Sequence, residues 1–337
     1  MTASINNAAE YRKYRGTTLR IAFALIANSI LLIGLTILQE PVGMILESIL
    51  TAPLAKLGVS IADSSFFIYS TLSIIVYLFS FMFPVALFRL FNKGRKNEPM
   101  RLAVKLPGDT PLIILAVIPV ILACAYVNSF LMSPFDFSPL YESEPIDTAL
   151  KLMFSFVSTA LVPGFCEEFL FRGCVLSNLL PYGKTTAIVG SAVLFSLMHG
   201  NPAQTFYTCA AGIALGLVYV ETGSIWPGTF IHLFNNYNSV IEEFICDKYG
   251  DFGNTVCRWM DLSLFFIGAV ALVWLVIRKK GRVYSAAPES AHPTRTAFLP
   301  SSRLFSGFFT PSMIVYFIMQ IGEAGLVLLM VLSGSLN

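Results

Sequence analysis

The sequence PGFCEEFLFR (residues 163–172) places three ionisable side chains, Glu167, Glu168 and Arg172, inside an apolar stretch. The stretch belongs to an apolar run over residues 149–180, which is long enough to cross a lipid bilayer as a helix. Ionisable groups in hydrocarbon are costly unless they are paired or hydrated. These three residues are therefore candidates for a functional site.

The rest of the chain has the composition of a membrane protein. Hydrophobic residues make up 55% of the 337 residues and charged residues only 12%, against about 25% charged residues in an average soluble domain. This composition excludes a soluble enzyme, a disulfide-rich secreted module and a disordered chain. The net charge of +2 gives no reason to expect a nucleic-acid partner. The sequence also contains no Cys-x-x-Cys pair and no glycine-rich nucleotide-binding motif.

The apolar runs predict an all-α fold, a polytopic transmembrane helical bundle of about eight to nine spans. Residues 43–61 contain Glu47, Pro53 and Lys56, and we expect this amphipathic segment to lie at the membrane interface or to re-enter the membrane. The span count near residues 43–61 and 308–333 stays open. The predicted spans are residues 21–38, 66–88, 111–134, 149–180, 185–199, 203–220, 225–246, 262–277 and 308–333.

Positive charge predicts the orientation of the chain. With the N-terminus in the cytoplasm, seventeen of the 22 Lys and Arg residues fall in predicted cytoplasmic segments. The predicted outer loops hold only Lys56, Lys248 and Arg258. Cytoplasmic loops of membrane proteins carry such an excess of Lys and Arg. The sequence therefore predicts a multi-pass protein with a cytoplasmic N-terminus, and a bacterial plasma membrane is the expected location.

The predicted spans divide into three regions. Residues 1–148 form an N-terminal transmembrane region with the amphipathic segment, and residues 149–246 hold the helices with the polar motifs. Residues 247–337 hold C-terminal spans joined by a cytoplasmic linker, residues 278–307, which is rich in Ser, Pro and Arg. We expect His292, in this linker, to be solvated.

Helix periodicity assigns the polar residues to faces. Glu168 and Arg172 are four residues apart, with the acid first, which favours an ion pair on one helix face. Glu167 then points about 100° away and is free to face other helices. His232 and Asn236 are also four residues apart and can point to one spot.

Two further features concern the depth and shape of this region. His199 ends the fifth predicted span, and a rise of about 1.5 Å per residue allows it to meet the other polar residues in one cavity near the bilayer middle. The run over residues 149–180 is too long for one straight helix. We expect Pro163 and Gly164 to break it and to place Glu167 in the first turn of a new helix.

One carboxylate, two imidazoles and an amide together suggest hydrolysis. A carboxylate can hold a water molecule and take its proton, and a histidine can share that water and pass a proton to a leaving amine. A histidine and an asparagine can donate hydrogen bonds to a tetrahedral oxyanion. Any one of these residues, taken alone, is more often a contact between helices.

Three motifs occur in order on successive apolar helices: Glu-Glu-x-x-x-Arg (residues 167–172), Phe-x-x-x-His (residues 195–199) and His-x-x-x-Asn (residues 232–236). This ordered set resembles the CPBP family, the CAAX-protease and bacteriocin-processing (ABI) family, which includes the eukaryotic CAAX prenyl endopeptidase. The resemblance covers about residues 149–245. It implies an intramembrane endopeptidase with an active-site cavity between helices.

The resemblance also implies roles for individual residues. Glu167 would activate the water with help from His199, whereas His232 and Asn236 would form the oxyanion site. Supporting positions are Glu168, Arg172 and Phe195. No cofactor is favoured, and zinc stays open as an alternative. If a metal is present, its predicted ligands are Glu167, His199 and His232.

Two other functions compete with the peptidase. One is a non-catalytic membrane protein that binds peptides in the same cavity, as an immunity or regulatory factor. The other is a transporter with the buried carboxylates as a proton relay, for which the sequence shows no supporting repeat. The expected partners of a peptidase are the bilayer and a membrane-associated, lipidated or secreted peptide. Oligomeric state stays open, and so does pairing between Cys246 and Cys257.

Overall fold

The computed structural model describes residues 2–92, 100–104, 106–135, 137, 145–280 and 299–333. Within these residues the regular structure is entirely helical, which confirms the all-α prediction. The helices are α1 (Thr2–Lys56), α2 (Ile61–Phe91), α3 (Thr110–Met132), α4 (Ala149–Tyr182), α5 (Lys184–Met198), α6 (Pro202–Thr222), α7 (Trp226–Lys280), α8 (Ser301–Phe308) and α9 (Pro311–Ser333).

Seven of the described helices contain a segment long and apolar enough to cross a membrane: α1, α2, α3, α4, α6, α7 and α9. Helix α5 is apolar but shorter. Helix α7 contains both predicted spans 225–246 and 262–277. Its two halves meet at Gly250, where the backbone leaves helical geometry (φ 54°, ψ −129°). The multi-pass membrane prediction is confirmed.

Short local signals set several helix ends. Ser60 caps α2 by accepting a hydrogen bond from the Asp63 backbone N–H at 3.0 Å. Asn201 accepts one from the Ala203 N–H at 2.9 Å, directly before the first-turn Pro202 of α6. Gly223 ends α6 in the left-handed conformation, with φ 68°. The caps at Asn201 and Gly223 fix the turns that connect α5, α6 and α7, and the cap at Ser60 fixes the turn between α1 and α2.

The predicted amphipathic segment over residues 43–61 is not a separate element. Helix α1 continues through Pro41 and Pro53 to Lys56. Its last turns pack on α2, where the Ser65 hydroxyl donates to the Glu47 carboxylate. Packing against a neighbouring helix compensates for the backbone hydrogen bonds that the two prolines remove. Its location at the membrane interface stays a prediction.

The expected helix break at Pro163 and Gly164 is wrong. Val162, directly before the proline, keeps right-handed helical angles (φ −64°, ψ −51°). One π-helical stretch (Phe156–Leu161) precedes residues 162–168, and another (Phe169–Leu176) follows them. A π-helical turn widens the hydrogen-bond pattern, which lets α4 pass the proline without ending. Glu167 therefore lies mid-helix, between two π-helical stretches, and not at a new N-terminus.

The predicted linker, residues 278–307, is partly helical. Helix α8 begins at Ser301, inside it, and packs against α1, where the Thr18 hydroxyl donates to the Gly307 carbonyl at 2.8 Å. Residues 281–298 lie outside the described residues, and so does the predicted solvated position of His292.

Two apolar clusters hold the bundle together. The larger joins α1, α2, α4, α5 and α9, with buried side chains such as Leu25, Phe81, Phe171, Leu194 and Tyr316. The smaller joins α3, α6 and α7 through side chains such as Ile118, Leu215 and Ile231. Glu167, Glu168 and Arg172 of α4 and His232 of α7 are buried beside members of these clusters, such as Cys166 and Ile231.

Candidate active site

Helix α4 carries a buried ion pair of the predicted kind. Arg172 Nη1 lies 2.7 Å from Glu168 Oε1, and both side chains are at most 1% exposed. Arg172 Nη2 also donates to the Gly212 carbonyl of α6 at 3.3 Å. A Cβ atom at Gly212 would lie 2.9 Å from the Ala192 Cα of α5. A residue without a side chain therefore allows α6 to approach close enough to accept from Arg172.

Phe195 of α5 lies at the centre of the site. The Arg172 guanidinium carbon lies 4.6 Å from the centroid of its ring, a cation–π distance. The rings of His199 and His232 meet the Phe195 ring edge to face, at centroid distances of 5.0 and 5.8 Å. Phe195 is 2% exposed. The Phe195 ring thus fixes the spacing between the Arg172 guanidinium and the two imidazoles. These contacts are how Phe195 would act in its predicted supporting role.

His232 of α7 lies against both glutamates. Its Nδ1 is 3.0 Å from Glu168 Oε1, and its Nε2 is 3.6 Å from Glu167 Oε2. Helices α4 and α7 approach closely here because Gly164 faces α7, and a Cβ atom there would lie 3.3 Å from the Leu233 backbone. A carboxylate only accepts hydrogen bonds, so Nδ1 of His232 carries the proton. The second nitrogen, Nε2, faces Glu167.

His199 follows α5 directly and is held by its own helix. Its Nδ1 lies 2.9 Å from the Phe195 carbonyl oxygen. A carbonyl oxygen accepts, so Nδ1 donates and Nε2 of the neutral ring keeps its lone pair. The rings of His199 and His232 both contact the ring of Phe195. The second nitrogen of His199, Nε2, is thus an acceptor at the edge of the same cluster.

Glu167 has one oxygen bonded and one without a partner. Oε1 accepts a hydrogen bond from the Tyr77 hydroxyl of α2. Oε2 is buried and has no hydrogen-bond partner among the residues that the structure describes. Nε2 of His232, at 3.6 Å, is beyond hydrogen-bond distance. A buried carboxylate oxygen in this state can accept from a water molecule or a substrate group.

Sequence reasoning missed Tyr77. It belongs to α2, ninety residues before its partner Glu167, in the N-terminal region, where no site residue was predicted. The only signal in the sequence is a hydroxyl-bearing side chain in an apolar helix, which is too common to single out. Its ring stacks on Phe81, with ring centroids 4.5 Å apart. This packing aims the hydroxyl at α4.

Asn236 lies one turn beyond His232 on α7. Its Nδ2 donates to the Thr159 carbonyl of α4 at 3.2 Å, and its Oδ1 accepts from Asn235 Nδ2 at 3.2 Å. The donor to Thr159 leaves one further N–H on the same amide. The carbonyl of Thr159 lies within a π-helical stretch of α4, where the helical hydrogen bonding is altered.

The predicted metal ligands, Glu167, His199 and His232, belong to this same group of side chains. Across the described ranges, no three His, Cys, Asp or Glu side chains are arranged to hold a metal ion. The predicted set of Glu167, His199 and His232 is therefore not arranged as a metal site in the described part of the chain.

The arrangement suits hydrolysis chemistry. Glu167 and Glu168 bring two negative charges to adjacent positions, and Arg172 balances one of them at 2.7 Å. The set thus combines a carboxylate that has one oxygen without a described partner, two imidazoles and an amide donor.

Residues 149–238 match the Rce1-like family. The description of the family model is type II CAAX prenyl endopeptidase Rce1-like. This Rce1-like segment begins at the first residue of α4 and ends two residues after Asn236, so it contains all three motifs. The resemblance drawn from those motifs is confirmed. Neither the curated proteins nor the solved structures include a significant match to the chain.

The Rce1-like match supports a protease of the CAAX type in general terms. Together with the seven apolar helices, it supports an integral, multi-pass membrane protein in a lipid bilayer and a peptide as substrate.

Proposed function

We propose that this protein is an intramembrane endopeptidase that hydrolyses peptide bonds through a water molecule activated by Glu167. The observation that carries this proposal is the state of the Glu167 carboxylate. It is buried, one oxygen is held by Tyr77, and the other has no partner among the described residues. An unpaired buried carboxylate oxygen is strongly unfavourable, so Glu167 Oε2 favours the approach of a water molecule or a substrate group. Glu168 Oε2 also lacks a partner among the described residues, but Glu168 Oε1 is held by both Arg172 and His232, whereas the His232 nitrogen that faces Glu167 is 3.6 Å away.

The neighbouring carboxylate supports this assignment. Glu168 is engaged by Arg172 and by His232 on a single oxygen. These contacts hold Glu168 as a fixed counter-charge and leave Glu167 as the base. The two adjacent glutamates therefore take different roles, because helix geometry aims one at Arg172 and the other across the bundle.

Water activation in this proposal uses Glu167 with His199. Glu167 Oε2 accepts one proton of the water, and the free Nε2 of His199 accepts a hydrogen bond from the other or orients it. The proton that Glu167 receives then passes to the leaving amine. General acid–base catalysis of this kind contributes about 10²- to 10⁴-fold to a rate.

His232 and Asn236 stabilise the tetrahedral oxyanion in the proposal. Because Nδ1 of His232 donates to Glu168, its Nε2 can donate to the oxyanion only when the ring carries a second proton. The second N–H of the Asn236 amide is the companion donor. Oxyanion donors of this type contribute about 10²- to 10³-fold each.

The proposed substrates are membrane-associated, lipidated or secreted peptides. A site between two apolar clusters of a membrane protein is reached most readily by a peptide segment that is already attached to the bilayer. A lipid group on the substrate would supply that attachment through burial of its methylene groups.

The test compares protein termini in membranes that contain the wild type, Glu167→Gln or the control Glu40→Gln at equal abundance. Glu40 is an exposed glutamate of α1. We expect wild type and Glu40→Gln to generate the same new termini in mass spectrometry and Glu167→Gln to lose them by about 10²-fold or more. Equal thermal unfolding midpoints would show that all three proteins are folded. Identical termini in all three samples would contradict the proposal and favour a non-catalytic binding function.

A further inference from the structure

Two cysteines face each other across the bend of α7. Cys246 Sγ and Cys257 Sγ lie 3.9 Å apart, on opposite sides of Gly250. All six cysteines of the chain lie in its described part, and all six are free thiols there. We propose that Cys246 and Cys257 are a redox modification site that closes to an intramolecular disulfide. This proposal does not depend on the peptidase activity.

The backbones on the two sides of the bend are already close enough for such a bond. A Cβ atom at Gly253 would lie 3.1 Å from the Cys246 Cα. One turn further along, Cys257 Sγ contacts the Glu242 carbonyl oxygen at 3.8 Å. A disulfide bond is about 2.05 Å long, so the two sulfur atoms need to approach by about 2 Å. Rotation about the Cα–Cβ bonds supplies a displacement of this size without separating the two halves of α7.

The two thiols differ in access, which sets the order of the reaction. Cys246 is half-buried and Cys257 is 8% exposed. Both line a cavity of about 970 Å³, whose other lining residues include the polar Asp251, Asn254 and Arg258. An external disulfide-bearing oxidant can therefore reach Cys246 first, and the buried Cys257 is the resolving thiol.

The proposed reaction is thiol–disulfide exchange. The Cys246 thiolate attacks one sulfur of the oxidant's disulfide, which forms a mixed disulfide and releases the other sulfur as a thiolate. The Cys257 thiolate then attacks the Cys246 sulfur, forms the Cys246–Cys257 bond and releases the second thiolate of the oxidant. The chain loses two electrons and two protons, and the oxidant is reduced to a dithiol.

The location of the pair supports a lasting disulfide. Positive charge predicts that the bend of α7 faces the outer side of the membrane, where disulfides persist. The other four cysteines, Cys124, Cys166, Cys174 and Cys209, lie on helices α3, α4 and α6. They serve as internal controls for thiol reactivity. The bond would tie the half of α7 that carries His232 to the half that binds α3, where the Tyr126 hydroxyl donates to Asp261.

The test is a thiol count on the full chain in its native membrane. Cells are quenched with an alkylating maleimide, the protein is denatured, and free thiols are counted by mass with and without prior reduction by dithiothreitol. For the wild type we expect four free thiols before reduction and six after it. Cys246→Ser and Cys257→Ser should each give five in both conditions, whereas the control Cys124→Ser should give three and five.

Proteolysis identifies the bond itself. Trypsin cleaves after Lys248, between the two cysteines, so the disulfide would hold together two peptides that dithiothreitol releases. Six free thiols in the unreduced wild type would overturn the proposal. A linkage that survives Cys246→Ser, or a link between two chains on a non-reducing gel, would overturn it as well. A misfolded serine variant does not affect the test, because the wild-type count and the linked peptides are independent of it.

Discussion

Replacement of Arg172 by methionine tests whether the buried ion pair holds the site together. Methionine is similar in length to arginine but apolar, so the substitution removes the cation that lies 2.7 Å from Glu168. Both side chains of the pair are at most 1% exposed. Glu168 is then left as a buried charge, with Nδ1 of His232 at 3.0 Å as its remaining partner. Removal of one partner from a buried pair lowers stability by about 3–5 kcal/mol. The same variant also loses the contact of the guanidinium with Phe195 and the hydrogen bond to Gly212, which keeps the expected loss within the upper half of that range.

The assay is equilibrium unfolding of the purified protein in detergent micelles, followed by far-UV circular dichroism. The decisive control is the double variant Glu168→Gln/Arg172→Met, in which the buried charge is also removed. We expect it to recover about 2 kcal/mol or more relative to Arg172→Met, because an uncharged amide is much less unfavourable in a buried site than a lone carboxylate. A loss below about 3 kcal/mol for Arg172→Met, or a double variant no more stable than the single one, would refute the reasoning.

Three further predictions concern the site and its support. Tyr77→Phe should lower peptide cleavage about tenfold at unchanged KM, since it removes one charge-assisted hydrogen bond to Glu167; unchanged cleavage in a steady-state assay would contradict it. Gly212→Ala should destabilise the protein by about 1–3 kcal/mol, because its Cβ would lie 2.9 Å from the Ala192 Cα. The control Gly34→Ala, whose Cβ would have no atom within 4 Å, should be neutral or stabilising in the same unfolding assay. Cleavage by the purified protein should survive a zinc chelator, and a stoichiometric zinc signal in active protein would contradict the Glu167 mechanism.

Much of the architecture follows from the sequence. The apolar runs are long enough that only helices satisfy their backbone polar groups in a bilayer, which fixes the fold class without knowledge of packing. The Glu168–Arg172 ion pair could also be predicted from the sequence, because residues four apart on a helix lie on one face. The three motifs, taken in order, were enough to predict the family that residues 149–238 match.

Local rules failed where neighbouring helices decide the backbone. Pro163 predicts a break in any isolated helix, yet α4 continues past it through flanking π-helical stretches. Pro41 and Pro53 are likewise absorbed into α1, which packs along α2. A helix in a bundle can rearrange its hydrogen bonds when packing holds it in place, and a sequence window contains no information about that packing.

The sequence by itself determined that the chain crosses a membrane as helices and which polar residues those helices carry. Only the tertiary structure decided how these residues meet. It placed Tyr77 on one oxygen of Glu167 and His232 between Glu167 and Glu168, and it brought Cys246 to Cys257 across the bend at Gly250. The physical reason is that helical periodicity fixes directions only within one helix. Contacts between helices depend on how small residues such as Gly164 and Gly212 let their backbones approach.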